Sequence, residues 1–126
     1  MLSEKMQKHG VNVWLVNTGW ANGPYGVGSR IKLKYTRAMI TAALNGELDK
    51  VAYTTHTIFG MELPTSCPNV PSEILSPKAS WKNDEAFYKQ ANKLAKAFIA
   101  NFEKYQAGAS QAVIDAAPKV NDTVTA

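Results

Sequence analysis

The stretch Val11-Asn12-Val13-Trp14-Leu15-Val16-Asn17-Thr18-Gly19-Trp20-Ala21-Asn22-Gly23-Pro24-Tyr25-Gly26-Val27-Gly28-Ser29-Arg30-Ile31-Lys32-Leu33-Lys34 carries the strongest architectural signal in the chain. Its first six residues are apolar on both faces except at Asn12, which predicts a buried strand over 11–16. Residues 19–28 hold four of the eight glycines, so this segment reads as a loop that can adopt left-handed backbone and let a ligand approach closely. From Ser29 to Lys34, Ile31 and Leu33 alternate with Lys32 and Lys34. That pattern predicts a second strand with one buried and one charged face. Thr36 has the chemistry of an N-cap for a helix through Ala38, Met39, Ile40, Ala42, Ala43 and Leu44, closed by Asn45-Gly46. Strand, glycine loop, basic strand and helix in that order point to a mixed α/β fold.

Upstream, Ser3 to His9 reads as a helix end with Gly10 as its C′ residue. The chain therefore opens inside a helix–turn–strand unit, which reads as a truncation point. A strand apolar on both faces, left without its neighbours, is expected to leave apolar surface exposed, so that the chain self-associates or packs loosely. Downstream, Tyr53 to Leu63 reads as one or two strands around Gly60, and Pro64, Pro68, Pro71 and Pro77 mark an irregular segment. A long C-terminal helix is predicted from Asn83, with Asp84 and Glu85 in its first turn. Phe87, Ala91, Leu94, Phe98, Phe102 and Tyr105 form an apolar stripe at helical spacing, read as core packing without chemistry. Gly108 ends or breaks that helix. A short amphipathic piece around Ala112, Val113 and Ile114 follows, then a polar tail, 121–126, expected to fray.

Composition bounds the function. The 126 residues are 45% hydrophobic and 19% charged, with a net charge of +4, as in an ordinary soluble globular domain. No run of 18 apolar residues suggests a membrane span, and the first ten residues contain no apolar signal-peptide core. One cysteine, Cys67, cannot form an internal disulfide, which fits a reducing, cytoplasmic location. Between residues 30 and 37 the chain carries Arg30, Lys32, Lys34 and Arg37 without a carboxylate. Such a cluster suits a local anionic partner, or equally a solvated edge strand whose lysines discourage aggregation.

The usual catalytic signatures are missing. A phosphate loop needs a lysine directly after its last glycine, whereas Gly28 is followed by Ser29-Arg30. Gly26-Val27-Gly28 lacks the third glycine of a dinucleotide fingerprint. His9 and His56 stand apart from any nucleophile pattern and read as ordinary surface or strand histidines. No catalytic residue and no metal ligand set is assigned. What remains is an arginine beside an isoleucine, with a threonine six residues on. A planar guanidinium can stack on a purine, an isoleucine can face it from the other side, and a hydroxyl can bond a ring nitrogen or exocyclic amine. Arg30, Ile31 and Thr36 therefore suit an adenine pocket.

The runs 11–20, 23–33 and 36–46, then Ile58-Phe59-Gly60-Met61-Glu62-Leu63-Pro64-Thr65-Ser66-Cys67-Pro68, Pro71-Ser72-Glu73-Ile74-Leu75 and Asn101-Phe102-Glu103-Lys104-Tyr105, closely resemble the C-terminal part of ATP-dependent phosphoenolpyruvate carboxykinases. The resemblance covers residues 3–105, which match about the last quarter of such an enzyme. It implies a fold that is the C-terminal piece of a nucleotide-binding domain over residues 1–107, with 108–126 as a short helix and tail. It implies conversion of oxaloacetate and ATP to phosphoenolpyruvate, carbon dioxide and ADP, a gluconeogenic, cytoplasmic role, and magnesium and manganese as divalent ions. The family's phosphate loop, its metal-binding lysine, histidine and aspartate, and its oxaloacetate-binding arginines lie upstream, so the rest of the polypeptide is an implied partner and this chain alone is expected to be inactive. The family's adenine positions map onto Arg30, Ile31 and Thr36. A competing reading is a nucleotide- or nucleic-acid-binding module using the cluster 30–37. Against a nucleic-acid role, aromatics are not interleaved with the basic residues beyond Tyr35.

Overall fold

The computed structural model describes residues 2–23 and 25–121. Helix α1 (Leu2–His9) carries Lys8 and His9 in its last turn, where cations complement the helix dipole. It stops at Gly10, whose φ is +58° and whose N–H donates to the Met6 carbonyl at 2.9 Å. A left-handed glycine is the least strained way to end a helix there.

The segment expected to be a buried strand, 11–16, is neither buried nor a strand. Val11, Val13 and Leu15 are exposed, Leu15 at 83%, while Trp14 and Val16 are half-buried. The cause is the lack of a neighbour. A strand satisfies its N–H and C=O groups only alongside another strand, and no described residue forms a backbone hydrogen bond with 11–16. The exposed apolar surface expected of an unpaired strand is there.

Beyond it, β1 (Trp20–Ala21) pairs antiparallel with β2 (Ser29–Arg30), placing Trp20 opposite Arg30. The basic strand is shorter than its alternation suggested. The ladder closes with Ile31 N–H on the Gly19 carbonyl at 2.9 Å, and the chain then turns at Lys32 into α2 (Leu33–Leu44). Leu33 and Lys34 thus lie in the helix. Thr36 is not its cap but a buried residue one turn inside it. The N-cap is Lys32, whose side chain makes no capping bond and whose carbonyl accepts from Tyr35 N–H at 2.9 Å. At the far end Asn45 and left-handed Gly46 (φ +67°) close the helix, donating to Thr41 and Ala43 carbonyls.

A second antiparallel ribbon, β3 (Tyr53–Thr55) and β4 (Glu62–Pro64), pairs Tyr53 with Pro64 and Thr55 with Glu62. Its connection turns at Gly60, φ +65°. The proline-rich segment contains one short helix, α3 (Ser72–Leu75). Helix α4 (Asp84–Phe102) starts at Asn83, whose side-chain oxygen accepts from Ala86 N–H at 2.9 Å, with Asp84 and Glu85 in the positive first turn. It ends at Phe102 rather than at Gly108. Beyond it the backbone tightens into three-residue turns, including a 3-10 turn over Gln106–Gly108. The last helix is α5 (Gln111–Asp115).

Two apolar clusters hold these pieces. One joins Ala42, Leu48, Cys67 and Val70, with Trp14, Met39 and Leu75 packed against it. The other joins Ile58 to Phe87, Tyr88, Ala91 and Ala95 of α4, with Phe59, Trp81 and Val120 alongside. Ile58 is 1% exposed and Ala95 fully buried. Only half of the helical stripe is therefore core. Leu94, Phe98 and Tyr105 are exposed, Phe98 meeting the Phe59 ring edge to face at 6.2 Å. The C-terminal segment returns across this second cluster, with Lys119 N–H donating to the Ile58 carbonyl at 2.7 Å. Buried Asn92 exchanges two bonds with the backbone of Asn121, at 2.8 and 3.0 Å.

Candidate functional site

The loop between β1 and β2 is built on backbone that only small residues allow. Gly23 (φ +135°) and Gly26 (φ +87°) are left-handed, as is Asn22 at +68°. Gly28 is needed for a different reason. A Cβ there would collide with the Ala21 carbonyl oxygen and lie 2.6 Å from that of Gly23, so the two arms of the loop touch backbone to backbone. Asn22 N–H donates to Ser80 Oγ at 3.4 Å, and that hydroxyl donates to the Pro77 carbonyl at 2.7 Å. The loop is thereby tied to the segment before α4. Trp20 and Tyr25 meet edge to face at 5.1 Å.

Arg30, Ile31 and Thr36 all sit at the exit of this hairpin, in three different environments. Arg30 is exposed on β2. Its neighbour Ile31, just past the strand, is half-buried. Thr36 is 6% exposed in the second turn of α2. Of the three, only Ile31 lines the molecule's large cavity, of about 1050 Å³, which it shares with Trp20, Trp14, Tyr53 and Met39. In the sequence Trp20 carries no signal beyond its place in the glycine-rich stretch 19–28. Its position opposite Arg30 follows from the hairpin register, which depends on where the turn closes.

The charge around this exit is one-sided. Arg30, Lys32, Lys34 and Arg37 are all exposed, and no described carboxylate pairs with any of them. Lys34 rests over the Tyr35 ring at 5.0 Å. Lys32 is the N-cap of α2 and Lys34 lies in its first turn, which contains no acid. Cations at the positive end of a helix oppose its dipole, and the unbonded N–H groups there add to the positive field. An anion at this place would relieve both.

The other polar groups are structural. Tyr53 donates its hydroxyl to the Leu48 carbonyl at 2.8 Å, and its pKa is raised, by burial first and by the Asp49 charge second. Burial, aided by Glu47, likewise raises the Cys67 thiol and keeps it a poor nucleophile. His56 is not a surface or mid-strand residue. It follows β3 at the turn, where its Nδ1 accepts from the N–H groups of Ile58 and Phe59 at 3.2 and 3.3 Å. Its ring lies against Phe59 and Phe87, and burial lowers its pKa despite an opposing backbone hydrogen bond. Among the described residues no three His, Cys, Asp or Glu side chains converge as a metal site would require. No described helix is long and apolar enough to cross a membrane.

Comparison with known proteins gives this geometry its context. The family model for phosphoenolpyruvate carboxykinase matches residues 1–73. The chain belongs to the phosphoenolpyruvate carboxykinase family. It is 57% identical over 118 residues to the phosphoenolpyruvate carboxykinase (ATP) of Flavobacterium johnsoniae, an alignment covering 94% of this chain and 22% of that protein. Against the protein of the same name from Brevibacillus brevis it is 57% identical over 120 residues, covering 95% and 23%. The carboxykinase (ATP) of Dictyostelium discoideum is 50% identical over 118 residues, covering 94% and 21%. The chain thus spans about a fifth of the length of the curated relatives it matches. The hairpin β1–β2 and the amino end of α2 fall wholly within the stretch that the carboxykinase family model matches.

Proposed function

We propose that this chain is the adenine-binding C-terminal part of an ATP-dependent phosphoenolpyruvate carboxykinase, a gluconeogenic lyase of the cytoplasm that converts oxaloacetate and ATP to phosphoenolpyruvate, carbon dioxide and ADP. The observation that carries this reading is 57% identity across 94% of the chain to an enzyme of that name. Arg30, Ile31 and Thr36 are the base-binding residues. The exposed Arg30 guanidinium stacks on the purine, Ile31 offers apolar surface from the cavity wall, and the Thr36 hydroxyl bonds the ring edge. The uncompensated cations at the start of α2 favour a polyanion beside the base. Phosphoryl transfer is mostly positioning and charge stabilisation, so a base clamp contributes through binding energy rather than bond chemistry.

The divalent ions, magnesium and manganese, do not fit the described residues, which bring no ligand set together. They belong, with oxaloacetate and the phosphates, to the rest of the polypeptide. The test is a join. The 126-residue chain alone should decarboxylate no oxaloacetate above background with ATP and manganese. Fused behind the preceding portion of the Flavobacterium enzyme, in place of that enzyme's own C-terminal part, it should give ATP-dependent turnover. Turnover by the chain alone would refute this reading, and so would a well-folded fusion without activity.

A further inference from the structure

The hairpin that presents Arg30 has a ladder only two residues long on each side. A two-stranded ribbon is marginal in water by itself, so its position depends on what ties its loop to the body. The tie is at Asn22. Its backbone N–H donates to Ser80 Oγ at 3.4 Å, across 58 positions of sequence. Its side-chain amide donates to Ser29 Oγ at 3.5 Å, across the mouth of the loop. Asn22 has a left-handed backbone, φ +68°, a conformation that costs any residue with a Cβ, and these two bonds hold it there.

Ser80 is itself fixed. Its hydroxyl gives its one proton to the Pro77 carbonyl at 2.7 Å, so the oxygen presents only lone pairs to Asn22. It accepts from the loop and donates to the body. The turn around it is closed by Ser80 N–H on the Ser76 carbonyl at 3.2 Å and Trp81 N–H on the Lys78 carbonyl at 3.0 Å. Two contacts fasten that turn to α4. Lys78 pairs with Asp84 at 2.8 Å, and the Trp81 ring meets buried Phe87 edge to face at 5.8 Å. A continuous path thus runs from the Ile58–Phe87 cluster through Trp81, Ser80 and Asn22 to Ser29, the residue before Arg30.

We propose that Ser80 is a positioning residue for the base clamp, its hydroxyl fixing the hairpin so that the Arg30 guanidinium lies flat on the purine. The proposal rests on Arg30 binding adenine. Ser80 touches no substrate and acts through Asn22 and Ser29. A stack needs the cation within about 6 Å of the ring centre. A hairpin free to swing keeps the Arg30 charge near the nucleotide but loses the plane-on-plane contact. The base is remote from the transferred phosphoryl, so the loss falls on ATP binding and spares kcat.

The experiment uses the enzyme joined from this chain and the preceding portion of the Flavobacterium carboxykinase. Ser80→Ala should raise the KM for ATP roughly fivefold, the worth of one neutral hydrogen bond, with kcat and the KM for oxaloacetate unchanged. Ser80→Thr keeps the hydroxyl and should restore most of the affinity. In an Arg30→Ala background Ser80→Ala should add less than about twofold, because residues that act through one another are not additive. Calorimetric titration with ATP accompanies the kinetics, so a folded join without turnover reads the same ratios and counts against the proposed function alone.

A loss of ATP affinity in Arg30→Ala but not in Ser80→Ala overturns the positioning role and leaves the proposed function standing. No loss in Arg30→Ala refutes the adenine reading and this proposal with it. A further full fivefold loss on top of Arg30→Ala, no rescue by Ser80→Thr, or an equal rise in the KM for oxaloacetate makes Ser80 a structural residue only. If Ser80→Ala does not fold, Asn22→Gly tests the same path. It keeps the left-handed backbone and the N–H but cuts the bond to Ser29. The same split is expected, and an unchanged KM for ATP overturns the proposal.

Discussion

Replacing Asn92 by Ala tests how the C-terminal segment is held. Asn92 is 5% exposed in the second half of α4's buried face, and its amide donates to the Asn121 carbonyl at 2.8 Å while accepting from the Asn121 N–H at 3.0 Å. Each neutral hydrogen bond is worth about 1 kcal/mol net. Two lost together cost about 2 kcal/mol, with Asn121 only half-buried and open to water in compensation. For a chain of this size that lowers the melting temperature by roughly 8 °C. Because Lys119 and Val120 hang on the same latch, through the Ile58 carbonyl and the second cluster, trypsin cleavage after Lys119 should accelerate up to roughly thirty-fold if local opening limits it. Asn92→Asp keeps the acceptor but turns a carboxylate towards the Asn121 carbonyl, and should be at least as damaging at neutral pH. Circular dichroism melts and timed proteolysis report both effects. Unchanged melting and unchanged cleavage in Asn92→Ala would refute the latch.

Other consequences are equally direct. His56 binds a proton less readily folded than unfolded, because burial lowers its pKa from 6.5. The unfolded chain therefore takes up more protons below about pH 6.5, and stability should fall as pH drops through that range. His56→Asn, whose Oδ1 can accept the same two N–H groups, should lose that part of the pH dependence in denaturant titrations at pH 7.5 and 5.5; an identical dependence in both proteins would count against this role. Gly28→Ala forces a Cβ onto the Ala21 and Gly23 carbonyls and should cost about 1–3 kcal/mol by overpacking. Gly108→Ala, with nothing within 4 Å of the new atom, should be neutral or slightly stabilising in the same melts.

Much of this was legible from local chemistry. Gly10, Asn45-Gly46 and Asn83 ended or began helices where their backbone preferences and capping groups said they would, and the Gly60 turn joined two short strands. These features depend on a few neighbouring residues. The errors came where the outcome depended on something distant. Val11–Val16 has the composition of a strand but no partner strand to make it one. The stripe on α4 is correctly periodic, yet only the half reached by Ile58 and Val120 is buried. Thr36 has the residue type of a cap near a helix start, yet the cap is Lys32. The hairpin register, by ending the ladder at Ile31, moved that start forward to Leu33 and buried Thr36. The same register put Trp20 opposite Arg30, a pairing invisible without knowing where the turn closes.

Arg30 in the joined, active enzyme tests most directly whether this hairpin holds the adenine of ATP. A cation–π stack in a desolvated pocket is worth about 1–2 kcal/mol, so Arg30→Ala should raise the KM for ATP roughly tenfold. The KM for oxaloacetate should be unchanged and kcat little affected, since a remote base binds alike in ground and transition states. Arg30→Lys should recover only part of the loss, because an ammonium keeps the charge but cannot stack as a plane. An unchanged KM for ATP in Arg30→Ala, or a rise confined to oxaloacetate, would contradict the assignment.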